Sequence, residues 1–349
     1  MKKIKRTSLI ILAILAILFF ALDPIVLWYL NSELDNIDGY YGEIEDVDVN
    51  VFTTSVHIYD MKLMVDDQEF NRPLADLPST KVQMQWRPLL EGHFVGELNL
   101  VNPQLNIELI GDSAELNVDT TLNWVEIVKD IGVITMNQVN VTDGRFDFFD
   151  RTGDSEIDVF VDSLQLYATN LATVEQSSVL PSSLSINGIS QGGGWISIQA
   201  DANLLKSIPD VDLSFSYEGT DLTAFNPSFE RHLNIDLSQG SLDLYSEASI
   251  KDSVLSGYVK PLLRDVDVLQ KEDFQQSFLN GLWNLLIGAA KEPITNQRLD
   301  QLATKLPVSG KVTSADGNIW RALGATLANA YIEPLERGID DSVDFKRGE

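Results

Sequence analysis

Apolar and polar residues alternate at period two between Val47 and Tyr258, in one short run after another. Polar turns separate the runs, and little helical periodicity lies between them. Period two places successive side chains on opposite faces of a strand, so each run has one apolar and one polar face. Parallel strands are buried on both faces and are typically continuous apolar runs instead. The alternation therefore predicts a mainly β fold, built on an antiparallel sheet with an apolar face.

The clearest runs have an apolar residue at every second position. They contain Val47, Val49 and Val51; Val82, Met84 and Trp86; Leu105, Ile107 and Leu109; Ile157, Val159 and Val161; Ile196 and Ile198; Val211, Leu213, Phe215 and Tyr217; and Leu233, Ile235 and Leu237. Turn signals occur at residues 65–67, 142–144, 151–154 and 239–240. Glycine and aspartate in these positions favour tight hairpins. A short helix is predicted at residues 121–131, where the spacing becomes helical.

Charge and cysteine content exclude several classes of function. The chain has 52 acidic and 25 basic residues among 349, a net charge of −27. A nucleic-acid interface needs clustered lysine and arginine, so we expect no nucleic-acid partner. The chain has no cysteine, which excludes disulfides and thiolate zinc sites. Acidic residues at outward strand positions and in turns indicate a solvated exterior.

The first thirty residues have the pattern of a membrane anchor. Basic residues within positions 2–6 precede an apolar stretch at residues 9–22, and a second apolar stretch covers residues 25–30. The first stretch alone fits either a membrane span or a signal peptide. The absence of a small-x-small cleavage pattern, together with Trp28 and Tyr29, favours an uncleaved transmembrane helix. The basic residues then place the N-terminus in the cytoplasm, which predicts a single-pass membrane protein with its bulk on the other side of the membrane; in a bacterium that is the inner membrane, with the bulk of the chain in the periplasm.

Helical periodicity replaces the strand pattern near residue 270. Apolar residues recur at helical spacing from Phe274 to Ala289, and again in residues 295–306 and 318–335. The predicted organisation is a membrane anchor (1–31), a β-groove domain (32–268), a C-terminal helical segment (269–338) and a disordered tail (339–349).

One catalytic motif occurs in the chain, at residues 188–192. The sequence GISQG fits the G-x-S-x-G nucleophile elbow around Ser190, but an elbow continues into a helix, and here further glycines and another alternating run follow. The histidines His57, His93 and His232 lie in or beside strand runs. We therefore expect a hairpin or bulge at this motif, no enzyme, and no effect of Ser190→Ala on function.

Four aspartates within residues 143–154 could suggest a calcium site. Their spacing does not fit an EF-hand loop, and the alternation of Phe146 and Phe148 with polar neighbours favours a strand. Ordinary hairpin turns explain these aspartates better, so neither a metal nor a cofactor is predicted.

Four segments carry a family resemblance. They are GYYGEIEDVDVNVFTTSVHIYDMKL after the anchor, WRPLLEGHFVGELNLVNPQLNIEL, MNQVNVTDGRFDFFDRT, and a later stretch that begins at Leu222 and contains GYVKP. Together they resemble the AsmA-like proteins of Gram-negative inner membranes, and most closely the branch called domain of unknown function 748. The resemblance extends to about residue 268.

The resemblance implies a curled sheet with an open apolar groove, related to bridge-like lipid-transfer proteins. It implies a role in moving phospholipids between membranes or in envelope homeostasis. The implied partners are the membrane, a phospholipid or other acyl lipid, and a longer AsmA-like protein or another envelope protein. About a dozen strands at 4.7 to 4.9 Å make a sheet roughly 60 Å long. We expect a sheet of that length to be too short to bridge a periplasm alone.

Inward strand positions are the predicted lipid-groove residues. They are Val49, Val51, Met84, Leu105, Phe146, Phe148, Val159 and Phe215. The alternative is a structural or assembly factor of the cell envelope, whose groove is filled by its own helices. The filling residues would then be Phe274, Phe278, Trp283 and Trp320. Deletion of residues 270–349 would unfold the plugged protein, whereas the strand region of a lipid-binding protein would survive.

Overall fold

The structure is a computed structural model of the chain. It describes residues 21–37, 39–67, 69–91, 93–111, 115–116, 134–153, 156–172, 178–203, 208–268, 301–303 and 305–311. In these residues the protein is mainly β, and its strands form one large curled sheet with few helices. The predicted fold class is confirmed at this level.

The strands follow the alternating runs closely. They are β1 (Tyr40–Asn50), β2 (Ser55–Val65), β3 (Ala75–Met84), β4 (Phe94–Val101), β5 (Gln104–Ile110), β6 (Glu115–Leu116), β7 (Ile134–Arg151), β8 (Ile157–Ala172), β9 (Ser182–Ser190), β10 (Trp195–Asn203), β11 (Asp210–Asp221), β12 (Leu237–Lys251), β13 (Val254–Val268), β14 (Gln301–Ala303) and β15 (Leu306–Lys311). The described helices are α1 (residues 21–34), α2 (Trp86–Leu90) and α3 (Asn226–Leu233). Short 3-10 turns occur at Gln191–Gly193 and Leu222–Phe225.

The sheet is antiparallel except at one position. Its order is β1-β2-β3-β4-β7-β8-β9-β10-β11-β12-β13-β14, with β15 also paired to β13. Both β4 and β5 pair with β7 in parallel, so the prediction of an entirely antiparallel sheet is wrong at β7. A parallel pair needs a long crossover connection. Alternation does not reveal it, because these parallel strands keep the half-buried pattern.

Two predicted turns are irregularities inside strands. Residues 142–144 lie within β7, where the pairing register with β8 shifts. Asp143 in β7 and Ser163 in β8 both have positive φ. Aspartate tolerates the left-handed conformation better than most residues, and a bulge adds a residue without reversing the strand. Residues 239–240 lie in a similar irregularity of β12. The turn signals at residues 65–67 and 151–154 do lie at strand ends.

Helix α1 packs against the first two strands. Its apolar residues Val26, Leu27 and Leu30 contact a buried cluster that includes Val47 and Ile58. The helix continues past the predicted anchor boundary at residue 31, and the first twenty residues lie outside the described part. In the described part of the chain, no helix has the length and hydropathy of a membrane span.

Helix α3 replaces the beginning of a predicted strand. Leu233 lies in the helix rather than in an alternating run, and β12 starts at Leu237. Phe229 of α3 packs with Leu237, Leu242 and Leu263 in a buried cluster. The helix forms because this cluster buries its apolar side chains, a tertiary effect that local periodicity does not contain.

The segment predicted as C-terminal helices contains strands where it is described. β14 and β15 pair with β13, so the prediction of helix at residues 301–306 is wrong. The edge of β13 offers backbone groups that can pair with another strand. Pro307 suits an edge strand because proline has no amide N–H to donate to a further neighbour. The predicted helix at residues 121–131, the remainder of 269–338 and the tail at 339–349 lie outside the described residues.

Candidate functional site

A row of apolar residues crosses the sheet from β1 to β15. Residues paired in register on neighbouring strands share a face of the sheet. Following the register from strand to strand gives Val49, Val56, Val82, Leu98, Val139, Ala168, Leu184, Ala200, Leu213, Ala248, Gly257 and Val308. Each residue in this row is apolar or glycine, so twelve strands present one uninterrupted apolar row.

A second row runs beside the first, two residues away along each strand. It contains Val47, Ile58, Thr80, Leu100, Val141, Leu166, Ile186, Ile198, Phe215, Ser246 and Val259. Only Thr80 and Ser246 are polar, and neither carries a charge. We call these two rows together the apolar band. At 4.7 to 4.9 Å between strands, the band is roughly 50 Å long.

The described helices lie near the two ends of the band: α1 is on the band, and α3 is on the same face beside it. Helix α1 contacts it at β1 and β2. Helix α3 belongs to the cluster at Leu242 and Leu263, which share the face of the band on β12 and β13. Between these ends the large side chains of the band, such as Leu98, Ile186 and Ile198, are half-buried rather than buried. The middle of the band is therefore the part that retains exposed apolar surface.

Two of the predicted groove residues lie within the band, and a third lies beside it. Val49 belongs to the first row and Phe215 to the second. Met84 is on the same face, two residues beyond Val82, and pairs with Gly96. Val51 is half-buried but lies in the turn between β1 and β2 rather than in a strand.

The other four predicted residues lie on the same face, beyond the β7 bulge. Phe146 pairs with Leu105 and with Val161, while Phe148 pairs with Val159. Val161 in turn pairs with Ser190, which shares the face of the band on β9. A Cβ added at Gly188 would lie 2.9 Å from Val161 Cγ1, which confirms that Val161 lies against the face of the band. These residues widen the apolar surface at one side of the sheet, and Leu105 is 42% exposed.

Most residues of the apolar band are not among the predicted groove residues. Leu98, Leu184 and Ile198 occur in alternating sequences, but no single strand shows which residues meet across the sheet. Their alignment depends on strand register, which bulges and the parallel pairing at β7 determine. The available signal was the alternation itself in each run.

The opposite face of the sheet is polar. The register row between the two apolar rows contains Asp48, His57, Lys81, Asn99, Asn140, Tyr167, Ser185, Gln199, Ser214, Glu247, Tyr258 and Pro307. Two open hollows lie on this face, of about 450 Å³ and 360 Å³. Tyr167 and Ser185 line both hollows. Because polar side chains dominate their lining, these hollows suit water or polar ligands rather than acyl chains.

An ionic network braces the polar face beyond the bulge. The buried Glu108 carboxylate lies 3.2 Å from Arg72 Nη1 and 3.0 Å from Arg151 Nη1. The Arg72 guanidinium also stacks over Phe149, 3.9 Å from the ring centroid. Removing one partner of a buried ion pair is costly because it leaves a buried charge unpaired. This network therefore fixes β5 against β7 and does not resemble a catalytic arrangement.

A second part of the network surrounds Arg145. Its guanidinium pairs with the buried Asp147 and lies 3.3 Å from Asp162. The hydrogen bond to Asp147 is the main reason that the pKa of Arg145 is raised. Burial and the negative charge of Asp147 raise the pKa of Asp158, although Arg145 partly offsets them. The arrangement favours a charged arginine and disfavours additional anions nearby.

Asp150 connects the sheet to α3. Its carboxylate accepts hydrogen bonds from Thr152, lies 3.3 Å from Arg231 Nη1 and lies 2.9 Å from His232 Nε2. Burial opposes ionisation, but the hydrogen bonds with Thr152 and His232 and the charge of Arg231 outweigh it. The pKa of the Asp150 carboxyl is consequently below its ordinary value.

The G-x-S-x-G motif lies in a hairpin. Ser190 ends β9, residues 191–193 form a 3-10 turn with positive φ at Gly192, and β10 begins at Trp195. The prediction of a turn here is confirmed. The Ser190 hydroxyl is buried, 2.7 Å from Tyr217 Oη and 3.3 Å from Thr220 Oγ1. Its contacts are hydroxyl groups and a backbone carbonyl, which do not activate a nucleophile as a histidine does.

Of the four aspartates considered for calcium, Asp154 lies outside the described residues, and the fold separates the other three. Asp147 and Asp150 engage arginine partners, while Asp143 lies at the β7 bulge. Among the described residues, no group of three or more acidic or histidine side chains could hold a metal ion.

No family model matches the chain, and no curated protein matches it.

Proposed function

We propose that the protein shields the acyl chains of lipids on the apolar band, as an AsmA-like component of the bacterial cell envelope. The observation that carries the proposal is the unbroken first row, which spans twelve strands without one polar side chain. An ordinary antiparallel sheet needs an apolar face only where another layer covers it. Here the centre of the face stays half-buried over many strands, which suits a long and narrow apolar ligand.

The chemistry of the band favours acyl chains over other ligands. Each methylene that leaves water contributes about 0.8 kcal/mol, so a chain binds in proportion to the length it buries. The band offers almost no hydrogen-bonding groups, since Thr80 and Ser246 are its only polar members. A lipid headgroup would therefore remain outside the band, and recognition would not depend on a particular residue.

The proposed location follows from the sequence. The basic residues at positions 2–6 and the apolar stretch at residues 9–22 support a single inner-membrane anchor with the sheet in the periplasm; this stretch precedes the residues of α1 that pack on the sheet. A band roughly 50 Å long is short for a complete path between two membranes. We therefore propose that the protein acts with a longer AsmA-like protein or another envelope partner.

The direct test is the lipid content of the purified full-length chain. Native mass spectrometry, followed by lipid analysis of the released ligand, should find diacyl lipid at a reproducible stoichiometry. The lipid should survive exchange into a detergent of short chain length. A protein that is folded and consistently free of lipid would contradict the proposal.

The alternative is a non-enzymatic assembly factor whose band is filled by its own C-terminal residues. The pairing of β14 and β15 with β13 makes part of residues 269–338 integral to the sheet, where these strands extend its edge and do not cover the band. Deletion from residue 270 would remove those strands under either function and so would not discriminate. Serine substitution of the four predicted filling residues, Phe274, Phe278, Trp283 and Trp320, leaves the sequences of β14 and β15 unchanged. Under the lipid proposal this variant should keep its lipid, whereas under the alternative it should lose stability and gain lipid binding.

A further inference from the structure

The first strand of the sheet is an edge strand. β1 pairs with β2 and with no other strand in the described part of the chain. An edge strand of 11 residues carries unpaired amide and carbonyl groups that could pair with another strand. The side chains that meet those groups therefore determine whether the sheet can grow at β1.

Helix α1 supplies partners for the edge of β1 at two positions. The Ile44 N–H donates to Asn31 Oδ1 at 2.7 Å, and Asn31 Nδ2 donates to the Ile44 carbonyl at 3.1 Å. The Val49 N–H donates to Asp23 Oδ1 at 2.9 Å. Asn31 thus reproduces both hydrogen bonds that a neighbouring strand would offer to Ile44.

A third amide of β1 is satisfied within the strand. The Val47 N–H donates to Asp46 Oδ1 at 2.9 Å. Three amides along β1 therefore have carboxylate or amide side-chain acceptors. The apolar contacts of Val26, Leu27 and Leu30 with the sheet hold α1 in place beside them.

The charge of β1 opposes one particular partner. The strand contains Glu43, Glu45, Asp46 and Asp48. A second copy of the chain, paired antiparallel through β1, would bring the same acidic residues opposite one another. Like charges that face each other across strands are destabilising.

We propose that residues 21–34 form a cap that closes the β1 edge against strand addition by a second copy of the chain. The cap acts through the acceptors of Asp23 and Asn31, and the acidic side chains of β1 reinforce it. The proposal concerns assembly of the sheet and does not depend on a lipid in the apolar band.

The test uses the absence of cysteine in the chain. A single Glu45→Cys substitution at the middle of β1 is combined with Asp23→Ala and Asn31→Ala, and a short thiol crosslinker reports β1 of two chains lying side by side. We expect at least a tenfold increase in covalent dimer over Glu45→Cys alone. The matched control is Asp23→Asn, which keeps the Oδ1 acceptor and should leave the dimer yield at the level of the intact cap. If the protein with Asp23→Ala and Asn31→Ala is folded and gives the same dimer yield as the protein with the cysteine substitution alone, the proposal is overturned.

Amide hydrogen exchange gives a second test if the double variant does not fold. Asp23→Ala should accelerate exchange at the Val49 amide by about tenfold and leave the Ile44 amide unchanged. Asn31→Ala should have the converse effect. Unchanged exchange at both amides would show that these side chains do not protect the edge, and it would overturn the proposal.

Discussion

Phe215→Asp places a carboxylate within the apolar band, on β11. Phe215 is half-buried and lies between Ile198 and Ser246 in the second row. Removing the aromatic ring from a half-buried position should reduce the free energy of unfolding by about 1 kcal/mol, half the value for complete burial. The sheet should therefore remain folded, so that the effect on lipid binding can be measured.

The effect on binding follows from the contacts that the charge denies to a lipid. If a carboxylate keeps two or three methylenes from the band, the loss is about 2 kcal/mol at 0.8 kcal/mol for each methylene. That corresponds to roughly 30-fold weaker retention. In the intact band the binding free energy is spread over many residues. One substitution therefore weakens lipid binding without abolishing it.

The assay is the amount of lipid that remains bound after dilution, measured by native mass spectrometry. The matched control is Ser216→Asp, which adds the same charge to the polar face of the same strand. Ser216→Asp should retain lipid as the unmodified chain does. If folded Phe215→Asp and Ser216→Asp proteins retain equal amounts of lipid, acyl chains do not bind on the apolar band.

Two further predictions concern stability. Because the pKa of Asp150 is lowered in the folded state, its charged form stabilises the fold above about pH 4, and this contribution is lost as the pH falls through the lowered value. Asp150→Asn should reduce the free energy of unfolding by about 2 kcal/mol at neutral pH. Chemical denaturation should show that the variant loses less stability below pH 4 than the unmodified chain does. The same pH dependence in both proteins would contradict the role of Asp150. Gly194→Ala should cost about 1 to 3 kcal/mol, because the added Cβ would overlap Thr220 Oγ1 and the Tyr217 ring. Gly193→Ala is its control: it has open space and suffers only the strain of a positive φ, about 1 kcal/mol, so equal thermal stability of the two variants would contradict the packing argument.

Period-two alternation predicted the faces of the strands but not their alignment. Val49 and Phe215 could be selected because each lies in a clear run. Their membership of rows that cross the sheet depends on long-range pairing, which no local pattern encodes. The turn signal at residues 142–144 is ambiguous for a related reason. A residue with positive φ, such as Asp143, can either reverse a strand or form a bulge within it.

The role of Asp23 also could not be predicted. In sequence it lies inside the predicted membrane anchor, between the two apolar stretches at residues 9–22 and 25–30. In the structure its carboxylate accepts a hydrogen bond from Val49, 26 positions later in the chain. The ionic network around Glu108 and Arg151 is similar, because its members are far apart in sequence and meet only after β5 and β7 pair.

The register of the rows affects how a chain of this fold can change in length. Each strand contributes only two residues to the apolar band, and consecutive antiparallel strands continue both rows. Inserting or removing a whole hairpin would therefore change the length of the band by roughly 10 Å and preserve the direction of every other strand. A single inserted strand would reverse the direction of every strand that follows. The length of the apolar band would thus vary in steps of two strands.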